Sequence, residues 1–194
     1  MTLGSFTLLK NEARWIGFHI LAALRHLDQM VFFDGNSTDG TVEIINYLRA
    51  KYPEARAKVA LYTGRDCRDL KDDYVAVFND CLRAVKTDYA WFLHPDMLVL
   101  RGPDSLGDRL AYSGGMRNLG GDYGGPVFEF VEGRSKAWKT IMKNDLGLHY
   151  FGHYGAWNED MYFSEVTGDE HAHHHEFGNY PFEVGDSGIQ MLHY

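Results

Sequence analysis

An imidazole and a carboxylate stand two residues apart in His94-Pro95-Asp96, two carboxylates are adjacent in Glu159-Asp160, and four imidazoles crowd into His171, His173, His174 and His175. The first spacing lets both side chains reach one divalent cation, and such a cation can bridge phosphate oxygens and stabilise a departing diphosphate. The adjacent pair can hold an acceptor hydroxyl and take its proton. In the first turn of a helix the same pair also serves simply to complement the helix dipole. A third metal ligand often comes from a distant segment, and either His193 or the cluster containing His171 and His173 could supply it. That cluster reads equally well as a His-rich surface loop. Asn11-Glu12 and the run from Asp34 to Asp39 carry the residue types of ligand contacts, and those types also dominate ordinary turns.

The elements around these residues decide between the two readings. Phe6-Thr7-Leu8-Leu9 is a short apolar run that exits into Lys10-Asn11-Glu12, and Met30-Val31-Phe32-Phe33 exits directly into Asp34. Lys58–Tyr62 and Tyr89–Leu93 are further strand candidates, the last ending at His94. Between them, Trp15, Ile16, Ile20, Ala23, Leu24 and Leu27 recur at helical spacing, so a helix is expected from about Ala13 to Leu27. Val42, Ile45 and Leu48 mark a second helix with Asp39 as its expected N-cap and Pro53 beyond its end. Tyr74, Val75, Phe78, Cys81, Leu82 and Val85 mark a third. This alternation predicts an α/β domain with a mostly parallel central sheet flanked by helices. In such sheets ligands bind beyond the carboxyl ends of the strands, where all three polar clusters are expected.

After Asp96 the pattern loosens. The glycine-dense stretches Ser113-Gly114-Gly115 and Gly120–Pro126 read as tightly turned or mobile backbone near a site. A strand at 127–131, a helix at about 135–143 and a helix opening near Trp157 complete the expected elements. The chain is taken as one domain, 1–194, with a Rossmann-like alternating half (about 1–100) and a second half (about 101–194).

Composition narrows the function classes. The 194 residues carry a formal net charge of −8, and every Lys and Arg precedes Asn144. The remaining segment holds 9 acids and 7 of the 10 His, a favourable setting for a divalent cation and a poor one for wrapping nucleic acid. No run of about 18 uncharged apolar residues and no secretory signal pattern is present, so a cytoplasmic protein without a transmembrane segment is expected. Cys67 and Cys81 are too few for a disulfide framework.

Thr7–Glu12, Phe33–Thr41, Asn79, Tyr89–Asp96 and Trp157–Phe163 occur in the order seen in GT-A fold glycosyltransferases, and the chain most resembles glycosyltransferase family 2. The resemblance spans about Phe6 to Phe163, and its most specific part is Asp34–Thr41. It implies an inverting, metal-dependent transferase that moves a sugar, a hexose above all, from a nucleotide-diphosphate sugar such as a UDP-sugar to an acceptor hydroxyl. On this resemblance Leu9, Asn11, Glu12, Asp34, Asn36, Arg65 and Asn79 surround the nucleotide. His94 and Asp96 occupy the family's Asp-x-Asp motif and, with His193 (or His171 and His173), hold Mn²⁺ or Mg²⁺; His94 stands where the family has its first Asp. Asp160, with Glu159, matches the acidic pair that supplies the catalytic base. Lys10, Arg65 and Arg83 are basic residues available to a diphosphate, or are solvated surface. Two rival functions remain open on the residues alone: a metal-dependent phosphoesterase using His94 and Asp96, and a non-catalytic divalent-metal-binding module.

Overall fold

A computed structural model describes residues 1–64, 71–108, 111–120, 129–131, 141–144, 149–152, 155–157, 162–164 and 185–193. Its first half alternates strand and helix: β1 (Leu3–Leu9), α1 (Ile16–Ala23), β2 (Gln29–Asp34), α2 (Thr41–Lys51), α3 (Pro53–Lys58), β3 (Val59–Tyr62), α4 (Lys71–Ala84) and β4 (Tyr89–Phe92). The four strands pair in parallel in the order β3-β2-β1-β4. The second half is mostly strand: β5 (Met97–Arg101), β6 (Ala111–Gly120), β7 (Glu129–Val131), β8 (Ile141–Lys143), β9 (His149–Gly152), β10 (Gly155–Trp157), β11 (Tyr162–Ser164) and β12 (Gly185–His193). β8, β6, β12 and β5 extend the sheet beyond β4, β7 pairs with β6, and β9–β11 form a separate antiparallel sheet. Most paired residues of the central sheet lie in parallel pairings, as an α/β fold with flanking helices requires.

The alternation along β1 explains why helices cover both faces. Leu3 and Leu9 join Ile16, Ile20, Phe32, Ile45 and Trp91 in a core beneath α1 and α2. Phe6 points the other way, into a second core with Val31, Val77, Cys81 and Phe92 beneath α4, and its ring stacks on Phe92 at 5.3 Å between centroids. Each fully buried side chain of this size contributes about 1.5–3 kcal/mol. Gly4 is required by close approach, because a Cβ there would lie 2.5 Å from Thr87 Oγ1 and 2.8 Å from Val85 Cγ1. Cys81 is buried within this second core. Among the described residues, no helix is long and apolar enough to cross a membrane.

Several expectations are corrected. α1 is shorter than 13–27, with turns at either end. The N-cap of α2 is Gly40, at φ 98°, rather than Asp39, because the chain enters the helix through a left-handed residue that glycine adopts without strain. Met97–Arg101 is a strand, and Ser113-Gly114-Gly115 lies inside β6, where pairing with β12 overrides glycine's preference for turns. Ile141–Lys143, expected at a helix end, is strand β8, inserted antiparallel between β4 and β6. Trp157 closes strand β10 where a helix start was expected.

Candidate functional site

In the strand order β3-β2-β1-β4 the chain changes direction across β1, so the carboxyl ends of β1 and β4 flank a topological switch point. Three segments converge there: Lys10–Glu12 after β1, Asp34–Asp39 after β2, and His94–Asp96 after β4.

The first two are laced together. Asn11 N–H donates to Ser37 Oγ (2.8 Å), Glu12 N–H to Thr41 Oγ1 (2.8 Å), Ala13 N–H to Asp39 Oδ2 (2.9 Å) and Thr38 N–H to Asn11 Oδ1 (2.9 Å). Asn11 and Asn36 take φ 57° and 59°, left-handed values that Asn tolerates better than most residues. Lys10, considered above as a diphosphate partner, instead donates through Nζ to the carbonyls of Gly35 and Asn36 (2.8 Å to the latter) and clamps the two loops. Leu9 closes β1 with its side chain in the core and its carbonyl accepting from Gly35 N–H at 2.9 Å. Asn36 is exposed at the loop tip.

Asp34 is only 3 % exposed. Its Oδ2 accepts from Ser37 N–H at 3.0 Å, and its Oδ1 is buried with no hydrogen-bond partner among the described residues. A buried carboxylate oxygen left in this state is costly unless something donates to it. The side chain borders a cleft of about 640 Å³ between α4 and the β2–β3 edge, where the rings of Phe33 and Tyr62 stack at 4.6 Å and Thr63 and Arg83 complete the rim. Arg83 forms an ion pair with Asp80, one turn away on α4, and Asn79 is half-buried on the same helix.

The third segment brings negative charge. Glu12 is pushed up to about 6, first by burial and then by the charges of Asp96 and Asp39, which places the three carboxyl groups within electrostatic reach of one another. Burial works against ionisation of Asp39 too, but donation from the Thr41 hydroxyl and from the backbone N–H groups of Ala13 and Thr41 outweighs it and holds Asp39 below the usual carboxylate range. His94 packs its ring 4.9 Å from that of Phe92, and its carbonyl accepts from Met97 N–H at 3.1 Å. His19, fully buried beneath α1, donates from Nδ1 to Met97 O at 2.7 Å and so fixes the strand leaving Asp96. Sequence reading missed it; the available signal was an imidazole between Phe18 and Ile20 on a helix that is otherwise apolar there.

The β12 backbone at His193 pairs with Met97 on one side and Asn118 on the other, bringing the third proposed ligand's position alongside the strand that follows Asp96. Among the described residues, no three His, Cys, Asp or Glu side chains form a ready-made metal shell. Arg65, Glu159, Asp160, His171 and His173 lie outside the described residues.

No family profile and no curated protein sequence matches the chain. Solved structures match its fold. GalNAc-T7 with UDP, GalNAc and Mn²⁺ aligns over 100 % of this chain and 35 % of its own, at 10 % identity and TM-score 0.50. Residues 1–349 of S. aureus TarS in complex with UDP align over 66 % of this chain and 38 % of that one, at 16 % identity and TM-score 0.49. The mannosyltransferase PcManGT from Pyrobaculum calidifontis, with GDP-Man and Mn²⁺, aligns over 50 % and 28 %, at 19 % identity and TM-score 0.43. The fold is that of the GT-A-type glycosyltransferases. The chain spans little more than a third of the length of the GalNAc-T7 and TarS structures it matches.

Proposed function

We propose that the chain transfers a glycosyl group, a hexosyl group in particular, from a UDP-sugar to an acceptor hydroxyl with inversion at the anomeric carbon. The observation that carries this reading is Asp34. A carboxylate buried at a strand's carboxyl end, with one oxygen used to shape its own loop and the other buried without a donor among the described residues, is suited to accept a hydrogen bond from a ligand. A nucleotide's imino N–H or ribose hydroxyl is such a donor. The GT-A-type fold, shared with a GalNAc-T7 structure that holds UDP, GalNAc and Mn²⁺, makes a nucleotide sugar the ligand of choice.

In this reading residues of about 1–100 bind the donor and those of about 101–194 the acceptor. Asn11, Glu12 and Asn36, on the two laced loops, meet the nucleotide together with Asp34, Leu9 through its backbone, Asn79 and Arg65. The donor set fits a divalent cation: a carboxylate at Asp96, an imidazole at His94, and mutual repulsion among Glu12, Asp39 and Asp96 that positive charge would relieve. Asp96 and His94 would hold Mn²⁺ or Mg²⁺, with His193 (or His171 and His173) as the third ligand. When bound, the metal supplies the positive charge that a departing diphosphate needs. Asp160 takes the acceptor hydroxyl's proton as that oxygen bonds to the anomeric carbon and the bond to the diphosphate breaks, with Glu159 orienting the acceptor.

Incubation with UDP-sugars, an acceptor panel and Mn²⁺, followed by assay of free UDP, tests the proposal. Acceptor-dependent UDP release with a new glycoside supports it. Hydrolysis of a phosphodiester to a monoester and an alcohol in place of glycosyl transfer, or metal binding with no turnover of any nucleotide sugar, overturns it.

A further inference from the structure

The outer side of α1 is not used by the proposed chemistry. The helix packs inward through Ile16, His19, Ile20 and Ala23. Its hydrogen-bonded course continues through the flanking turns, from Ile16 N–H to Glu12 O and from Leu27 N–H to Ala23 O. Arg14, Phe18, Leu21 and Arg25 follow one another at spacings of four, three and four, so they form one outward stripe roughly 60° wide at 100° per residue. Phe18 is 63 % and Leu21 42 % exposed.

The neighbouring helix widens the stripe. α1 and α2 both return from parallel strands and run side by side in the same direction, with Gly17 facing Ile44. Tyr47, 58 % exposed, comes one turn after Ile44 on α2, as Leu21 comes one turn after Gly17 on α1. Lys51, whose Nζ donates to Tyr47 Oη at 3.0 Å, comes one turn after Tyr47, as Arg25 comes one turn after Leu21. The only acid within these two helices is Glu43, in the first turn of α2.

We infer that this face of α1 and α2 rests on an anionic bilayer surface, with Phe18, Leu21 and Tyr47 in the headgroup region and Arg14, Arg25 and Lys51 among the lipid phosphates. Charge selects this occupant. In a twofold dimer the stripe would lie against itself and set Arg14 or Arg25 opposite another arginine, with Glu43, one turn before Tyr47 on α2, the single acid against three cations on each face. A single apolar partner would have to bury guanidinium groups at both ends. An anionic surface accepts the three aromatic and aliphatic tips and all three cations at once, with the long basic side chains reaching outward from the apolar strip. The inference does not depend on the reaction proposed for the strand-exit site.

Sedimentation with vesicles tests it, using phosphatidylcholine alone and phosphatidylcholine with phosphatidylglycerol in equal parts. The full chain should sediment with the mixed vesicles and not with phosphatidylcholine alone, and added salt should weaken binding. Phe18→Ser with Leu21→Ser should abolish sedimentation. Arg14→Glu with Arg25→Glu should weaken it by at least about fivefold per cation removed. Circular dichroism and thermal midpoints establish that both variants are folded, as exposed positions permit. Failure of the folded wild type to bind mixed vesicles, equal binding to both vesicle types, or binding unchanged in either variant overturns the inference. So does a concentration-dependent dimer that the Phe18 and Leu21 substitutions dissolve.

Discussion

Replacing Asp34 by Asn separates its two oxygens. The substitution keeps the side chain's size and leaves an amide oxygen to accept from Ser37 N–H, the bond now made at 3.0 Å by Oδ2. The amide NH₂ then takes the place of the buried Oδ1, which has no hydrogen-bond partner among the described residues. Folding should therefore change by no more than about 1 kcal/mol, or about 2–4 °C in thermal midpoint for a chain of this size. Nucleotide binding should change far more. A hydrogen bond to a charged acceptor is worth about 1.5–3 kcal/mol, and its loss corresponds to about a tenfold to 150-fold rise in Kd. Facing a ligand donor with an amide N–H adds repulsion to that loss. Asp34→Ala should lose the ligand contact and also the Ser37 bond, destabilising the fold by about 1 kcal/mol more than Asn. Calorimetric titration of UDP in Mn²⁺, paired with thermal unfolding, measures both quantities. Unchanged UDP affinity in folded Asp34→Asn would refute the reasoning, and Asp34 would then be a loop-forming residue alone.

Asp96→Ala should abolish the Mn²⁺ dependence of UDP binding with the fold intact, which titration with and without the metal checks. Glu12 binds its proton more tightly in the folded chain than its ordinary 4.5, up to about 6, so its contribution to stability is full below 4.5 and fades as pH rises through 6. Because the group is partly solvated, the effect should be under about 1 kcal/mol, read as the difference between wild type and Glu12→Gln across that window. Lys10→Met should unclamp the loops after β1 and β2, raising the Kd for UDP more than it lowers turnover at saturating donor. Asp160→Asn should cut turnover about 10²- to 10⁴-fold with donor affinity retained, whereas Glu159→Gln should spare more activity; the reverse order would exchange their roles.

The first half was legible because its signals are local. Phe6–Leu9 and Met30–Phe33 are apolar runs that end abruptly in polar residues, and Asp34 and Asp96 could be placed at strand exits from that boundary alone. The second half is held by partners distant in the chain, which no local pattern reveals. Met97–Leu100 reads as an indistinct apolar stretch until β12 lies beside it, and Gly114 and Gly115 carry no side chains to announce a strand. The roles of Lys10 and His19 were hidden for a related reason. Each is a polar side chain bonded to a carbonyl on a different element, and such a bond leaves no periodicity behind.

The position of β12 also orders events in time. β1 to β4 find their partners among near neighbours in the chain, so that unit can assemble as soon as it is synthesised. β5 follows immediately but sits in the sheet beside β12, and β6 to β11 must all be made before that neighbour exists. Closing so long a loop is slow, and until it closes an apolar strand edge is open to wrong pairing. Substitutions such as Met191→Ala in β12 should thus act on the last step of folding, lengthening the interval of exposure and lowering the yield of native protein even where the finished strand-exit site is intact.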